Sequence, residues 1–352
     1  DIDQERATEY LEAAKWAADE VINSGRYSLA DDYRSVFSSL DLSGNSEVIL
    51  YRKYVEGVLT HSLNSYSNKE AQTGASKDAI ETYLADDGLP ITLSPEYQGD
   101  KSIEDVMANR DPRLTETFVD SLRLNGIASN YSTSGYAQLK FLNEEIRDQT
   151  IGSSNLNPTD APVIRYGEVL MNYAEASAEL GNLTQADLDK SINVLRSRDG
   201  IDMPHLQVMG GEPAVNGVTY DDPERDPDVP PIIWEIRRER RVELMMEGFR
   251  LNDLKRWKKL EYTDTIDNPD INLGAWIALE DYEGEEDQPS ENLVLVDETG
   301  TVDESEGYLK PASELQSQRR FNDERVYLNP LPLDQIQLYK DNGVTLEQNP
   351  GW

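Results

Sequence analysis

The 352-residue sequence predicts a mainly α protein: tetratricopeptide-like helix pairs forming a scaffold, with a long irregular loop-built face and a few short strands. Apolar residues recur at helical spacing in three blocks, about 3–24, 162–198 and 231–260. Between them lie stretches rich in Gly, Ser, Asn, Asp and Pro, at 64–74, 121–135, 203–229 and 262–307, of the kind that build surfaces rather than core. β-branched and aromatic residues gather only briefly, at 47–55 and 293–296, where short strands are expected.

In the first block Ala7, Tyr10, Leu11, Ala14, Ala17, Ala18, Val21 and Ile22 form a wide apolar stripe that stops at Gly25, and Trp16 is assigned with it to the core. One helix cannot bury such a stripe alone, so a partner helix is required. The second block reads as a helix pair, with Pro162 at a helix start, Gly181-Asn182 at the turn and Asp187 to Arg198 as the return. Tyr166, Leu170, Tyr173, Ala174, Ala176 and Leu180 line its inner face with the small and large residues of such repeats. The third block, IWEIRRERRVELMMEGFRLNDLKRWKKL (233–260), carries Ile236, Leu244, Leu251, Leu254 and Trp257 at roughly helical spacing around one break at Gly248. Opposite charges stand three apart along it, where they meet on a helix surface. Arg240, Glu243, Glu247, Arg250 and Asp253 are therefore expected to form a partly buried, mutually paired ion network.

Composition excludes several functions. Lys+Arg 33 against Asp+Glu 68 leaves a net charge of −35, which repels nucleic acid, whose binding depends on cationic contacts with phosphate. The chain has no cysteine, so disulfides, zinc–thiolate sites and thiol nucleophiles are ruled out. No apolar run approaches the roughly 18 residues that span a bilayer. Only two histidines occur, His61 and His205, without a metal-ligand repeat, and no GxSxG elbow, phosphate-binding loop or GxGxxG is present.

The order RRERRxELMMEGFRxxDLxRW resembles the signature helix of the SusD/RagB family of surface glycan-binding lipoproteins. The rest of the chain agrees in family order: PTDAPVIRYGEVLMNYAEASAELGN with INVLRSRDGI resembles the helical-repeat segment, and LADDGLPITLSPEYQGD, NRDPRLTETF and TSGYAQLKF the middle region. VYLNPLPLDQIQLYKDNGVTLEQNPGW resembles the C-terminal close. The resemblance implies one SusD-like domain over 1–352, with a ligand face about 41–160 and 261–310 and a closing segment at 311–352. It implies a non-enzymatic protein that captures oligo- or polysaccharide and passes it to a SusC-like TonB-dependent transporter. It also implies an outer-membrane location, held by a lipidated N-terminal cysteine that this sequence lacks, and N-terminal helices that precede these residues and cover the first stripe.

The residues themselves leave alternatives open. Sugars present apolar C–H faces and polar edges, which suit flat aromatic platforms with polar neighbours. The loop aromatics Tyr66, Tyr83, Tyr97, Tyr131, Tyr136, Trp276 and Tyr282 are the candidates, each against a packing role. Trp276 leads: Gly274 is expected to leave the backbone free beside it, with Asp281, Tyr282 and Glu283 close by. The competing reading of that stretch is a short buried strand on Leu273, Ile277 and Leu279. Glu243 and Glu247, one helical turn apart, are the best pair for a helical glycoside hydrolase, which needs carboxyls about 5 to 9 Å apart. Flanking arginines would lower their pKa values and favour a structural role instead. A repeat-type module binding protein or peptide is the other alternative. No cofactor is expected, although some family members bind calcium, and the oxygen-rich stretches 264–272 and 281–287 would admit Ca²⁺ without following the EF-hand pattern.

Overall fold

The computed structural model describes residues 4–68, 74–128, 131–290, 292–311 and 318–352. The chain gathers into two compact units, Asp1–Glu247 with Asp270–Pro311, and Gly248–Pro269 with Ala312–Trp352.

In the first unit α1 (Gln4–Asn23) carries the first periodic block; position 3, where that periodicity begins, lies outside the described residues. β1 (Val48–Arg52) pairs antiparallel with β2 (Ala161–Arg165), placing Tyr51 opposite Pro162. The helix start expected at Pro162 is thereby corrected. Pro162, Val163 and Ile164 stay extended, as β-branched residues prefer and a proline on a two-stranded ribbon permits, and α3 (Tyr166–Glu179) begins only afterwards. α2 (Lys77–Glu81) lies between β1 and β2 in the chain, N-capped by the Ser76 side chain.

After α3 the chain turns at Gly181, whose N–H donates to Ala178 O at 2.9 Å. α4 (Gln185–Asp189) opens with a reciprocal capping box between Thr184 and Asp187. The return helix expected through Arg198 is broken: Ser191 leaves helical geometry, its Oγ donates to Asp187 O at 2.6 Å, and α5 (Ile192–Arg196) starts anew. α6 (Pro231–Glu243) has proline at its first position. One core is closed by Ala18 of α1, Leu170, Met171 and Ala174 of α3, Leu188 of α4, Ile192 and Leu195 of α5, and Ile232 and Ile236 of α6. The partner that α1 requires is α3, yet α1 buries only Ala18 fully. Trp16, assigned to the core, is instead 65% exposed, because two residues before Ala18 is roughly 200° round an α-helix.

β3 (Gln207–Met209), β4 (Glu212–Val215) and β5 (Val218–Thr219) form a small antiparallel meander. A four-stranded antiparallel sheet in the order β6-β9-β7-β8 is built from β6 (Trp276–Ala278), β7 (Leu295–Val296), β8 (Val302–Asp303) and β9 (Glu306–Leu309). Its inner side joins a second core with Ile80, Val106, Leu114, Phe118 and Leu124, supplied by Ile277, Leu295 and Leu309.

The second unit holds α7 (Arg250–Arg256), which follows the break where Met246 and Gly248 take positive φ of 65° and 88°, and α8 (Leu333–Asp341). It is tied by Thr265 N–H to Arg319 O at 2.9 Å, Leu260 N–H to the Tyr327 hydroxyl at 2.9 Å and the Trp352 indole N–H to Leu328 O at 2.8 Å.

Candidate functional site

α6 turns Glu239 and Glu243 into the interior of the first unit. Glu243 is fully buried and accepts from Arg165 at 2.7 Å, Arg113 at 3.0 Å and Arg198 at 3.3 Å. Arg165 also reaches Glu47 at 2.8 Å and Glu247 at 2.7 Å, Lys140 meets Glu247 at 2.7 Å, and Glu239 lies between Arg196 and Arg113. Glu47, Asp111, Glu239, Glu243 and Glu247 thus face Arg113, Arg165, Arg196, Arg198 and Lys140, a charge-balanced interior. Burial alone would raise the Glu243 carboxyl, but Arg198, Arg165 and Arg113 outweigh it and hold it well below the carboxylate range. Burial pushes the Lys140 ammonium down to about 8.

The expected mutual ladder is corrected at Glu243. Glu243 is met by Arg113, Arg165 and Arg198 rather than by Arg240, because its side chain points toward β2 and not along the helix surface. Arg240 reaches Glu175 and Asn172 of α3, and in the second unit Asp253 accepts from Arg256 at 2.9 Å while Arg250 lies 5.9 Å from the Trp257 ring centroid. Glu243 is closed off from solvent, Glu247 is partly buried, and both are ion-paired, so they do not form the open carboxyl pair a glycosidase needs.

An aromatic and charged cluster on the outer side of the four-stranded sheet fits a ligand better. Trp276 of β6 stands directly opposite Tyr308 of β9, so both rings project from one face, centroids 4.9 Å apart and planes at 84°. Ile277 points the other way and is buried. The stretch is therefore a strand, with Trp276 half-buried on its outer side against Leu273, Val296 and Tyr308. Gly274 does not leave space as expected: a Cβ there would lie 2.3 Å from Ser134 O, the atom that accepts the Ala275 N–H at 2.8 Å.

α2 is fastened to the segment that leads into β6 by the Lys77 N–H, which donates to Leu273 O at 2.8 Å. The Lys77 ammonium then sits 5.2 Å from the Tyr308 centroid and pairs with Glu81 at 2.5 Å, Asp270 at 2.8 Å and Asp100 at 3.6 Å. The Tyr308 hydroxyl donates to Asp100 at 2.5 Å. Burial, then Asp100, drives that phenol far above its ordinary range. Burial opposes the charge on Lys77, but Glu81 and Asp270 overcome it and hold the ammonium above its usual range. Tyr97 borders the same carboxylates and is pushed up to about 12 by burial, Glu81 and Asp100, with Arg110 5.5 Å from its ring centroid.

Glu81 gives this cluster a pH signature. Burial raises its carboxyl from 4.5 to about 7, Asp270 and Asp100 add to the rise, and Lys77 opposes it. A folded-state pKa above the unfolded one means that the contribution to stability is complete below about 4.5 and is lost as pH rises through about 7. The melting temperature of Glu81→Gln should therefore fall less between pH 5 and 7 than that of the parent; parallel curves would show that Glu81 does not titrate in this window.

Of the other expected platforms, Tyr83 and Tyr136 are corrected: they are 0% and 2% exposed in the second core, where α2 and the sheet close over them. Tyr282 is half-buried against that core, Tyr66 is 43% exposed on the short helix Leu63–Asn68 rather than in a loop, and Tyr131 is half-buried. The structure gathers Trp276 and Tyr97 around one cluster. Sequence reasoning missed Tyr308, Lys101 and Asp100; only strand register marks Tyr308, and no local pattern does. A cleft of about 460 Å³ lined by Gln185, Asp189, His205 and Gln207 contains none of the aromatic candidates. Among the described residues no group of three or more His, Asp or Glu side chains is arranged to hold a metal ion.

Residues 35–352 match the model of the SusD family. Among solved structures the chain is similar to a SusD-like carbohydrate binding protein from Bacteroides fragilis, at 24% identity and a TM-score of 0.60, covering 93% of this chain and 60% of that one. A second SusD-like protein from Bacteroides fragilis matches at 21% identity and a TM-score of 0.60, covering 97% and 62%. Surface glycan-binding protein A from Bacteroides fluxus matches at 17% identity and a TM-score of 0.50, covering 99% and 60%. These likenesses show a shared fold, and the chain spans about three fifths of the length of each. A comparison with curated proteins finds no match.

Proposed function

The chain belongs to the SusD family, and from that premise we propose that it is a non-enzymatic binding protein that captures oligo- or polysaccharide on the Trp276–Tyr308 face. The observation that carries the reading is the half-buried Trp276 ring, backed by the buried Tyr308 and ringed by hydroxyl, ammonium and carboxylate groups, the mixture that suits a sugar's apolar face and polar edge. The printed descriptions of its structural relatives as carbohydrate-binding and glycan-binding support the same class of ligand. The proposal extends to delivery: the captured glycan passes to a SusC-like TonB-dependent transporter. The protein then sits on the outer-membrane surface, held by lipid on an N-terminal cysteine outside this sequence. Among the described residues no helix is long and apolar enough to cross a membrane.

A glycan array followed by a single variant tests the binding. Trp276→Ala should weaken the best array hit by about 1 kcal/mol or more, roughly fivefold, while the protein still unfolds cooperatively. Retention of full affinity would move the ligand elsewhere. New reducing ends during incubation with the glycan would overturn the non-enzymatic reading, and failure of the protein to co-purify with a transporter from outer membranes would overturn the delivery step.

A further inference from the structure

The ring face that a sugar needs is already covered. Lys101 Nζ lies 3.6 Å from the Trp276 ring centroid and 4.8 Å from that of Tyr308, and donates to Glu298 at 2.8 Å and to the Tyr308 hydroxyl at 3.2 Å. Two aromatic rings, a carboxylate and a phenol oxygen hold this ammonium, and of these the half-buried Trp276 ring and the exposed Glu298 carboxylate are open to a bound glycan. We propose that Lys101 is an internal cap on Trp276 that a neutral sugar ring displaces on binding, a reading that rests on Trp276 as the glycan platform.

The two lysines of the cluster differ in a way that assigns the cap to one of them. Lys77 is 12% exposed and held by three carboxylates, so it belongs to the frame of the site. Lys101 is 44% exposed and its single carboxylate partner, Glu298, is 74% exposed. Exposed cation–π contacts and exposed ion pairs are each weak, and the flexible lysine stem lets the head group turn into water. Stacking of a sugar ring on indole is strong enough to replace them.

Charge selects the ring. When Lys101 turns outward, Asp100, Asp270 and Glu298 remain around the rings, with Lys77 as the cation paired to Asp100 and Asp270, on a chain of net charge −35. A uronic acid entering this field is repelled, whereas a neutral ring is indifferent to it and its hydroxyls find acceptors in Asp100 and Glu298.

Native gels cast with starch, xylan, galactomannan or polygalacturonate, run beside acrylamide quenching of tryptophan emission, test the cap. Lys101→Ala should make the Trp276 component, taken as the difference from a Trp276→Phe background, more quenchable. It should also strengthen retention by a neutral polysaccharide roughly three- to tenfold. Lys101→Arg, whose guanidinium stacks on indole, should behave as the parent. Weaker retention of Lys101→Ala by a neutral polysaccharide, or loss of retention by polygalacturonate, would make Lys101 a ligand contact and overturn the cap. Unchanged quenching with unchanged retention would overturn it as well. If Trp276→Ala is retained like the parent, the platform itself falls, and this result is separate from any behaviour of Lys101.

Discussion

Replacing Glu243 with alanine is expected to cost about 3–5 kcal/mol of folding stability, a large part of the roughly 5–15 kcal/mol that domains possess. The carboxylate is fully buried and meets Arg113, Arg165 and Arg198 within 3.3 Å. Truncation leaves those guanidinium groups in the interior with one carboxylate fewer, and their desolvation is no longer offset. Glu243→Gln keeps the volume but not the charge, so it should fall between parent and alanine variant. Glu144, an exposed partner of Arg34, is the control, since its replacement should barely shift the urea midpoint. An alanine variant at 243 that unfolds like the parent would show that the interior ions do not hold the fold together.

Gly274→Ala is expected to destabilise the protein by about 1–3 kcal/mol through overpacking, and to weaken glycan binding with it. The added Cβ would meet Ser134 O at 2.3 Å and Ser134 C at 2.8 Å. These are backbone atoms, so no side-chain rotation relieves the contact. Relief requires the 134 segment and the entry to β6 to separate, which breaks the Ala275 N–H bond to Ser134 and shifts Trp276. Gly44→Ala, where an added Cβ has nothing within 4 Å, should leave both melting temperature and binding unchanged. Equal melting of Gly274→Ala and parent would mean that the two segments are not held in contact.

Helical scaffold and family were legible in the chain itself, for a reason of range. The stripe of α1, the inner face of α3 and the charge order of α6 depend on residues within about four positions of one another, and helical periodicity writes those relations directly along the sequence. Local rules failed where a distant segment competed. Pro162 starts no helix because β1, more than a hundred residues earlier, claims its strand. Periodicity puts Trp16 in the core, but how much of a stripe is covered depends on what packs over it, and Trp16 is exposed.

The site was legible only as a composition of loop aromatics. Burial of Tyr83 and Tyr136, and exposure of one side of Trp276, follow from how the sheet and α2 close over the second core. The partners that matter lie far along the chain: Arg165 and Glu243 are 78 residues apart, and the Tyr308 hydroxyl reaches Asp100 across 208. Ion pairs and cross-strand ring contacts act over a few ångströms in space and are indifferent to sequence separation. A sequence can therefore state that arginines, glutamates and tyrosines are present, while strand register and helix packing decide which of them meet.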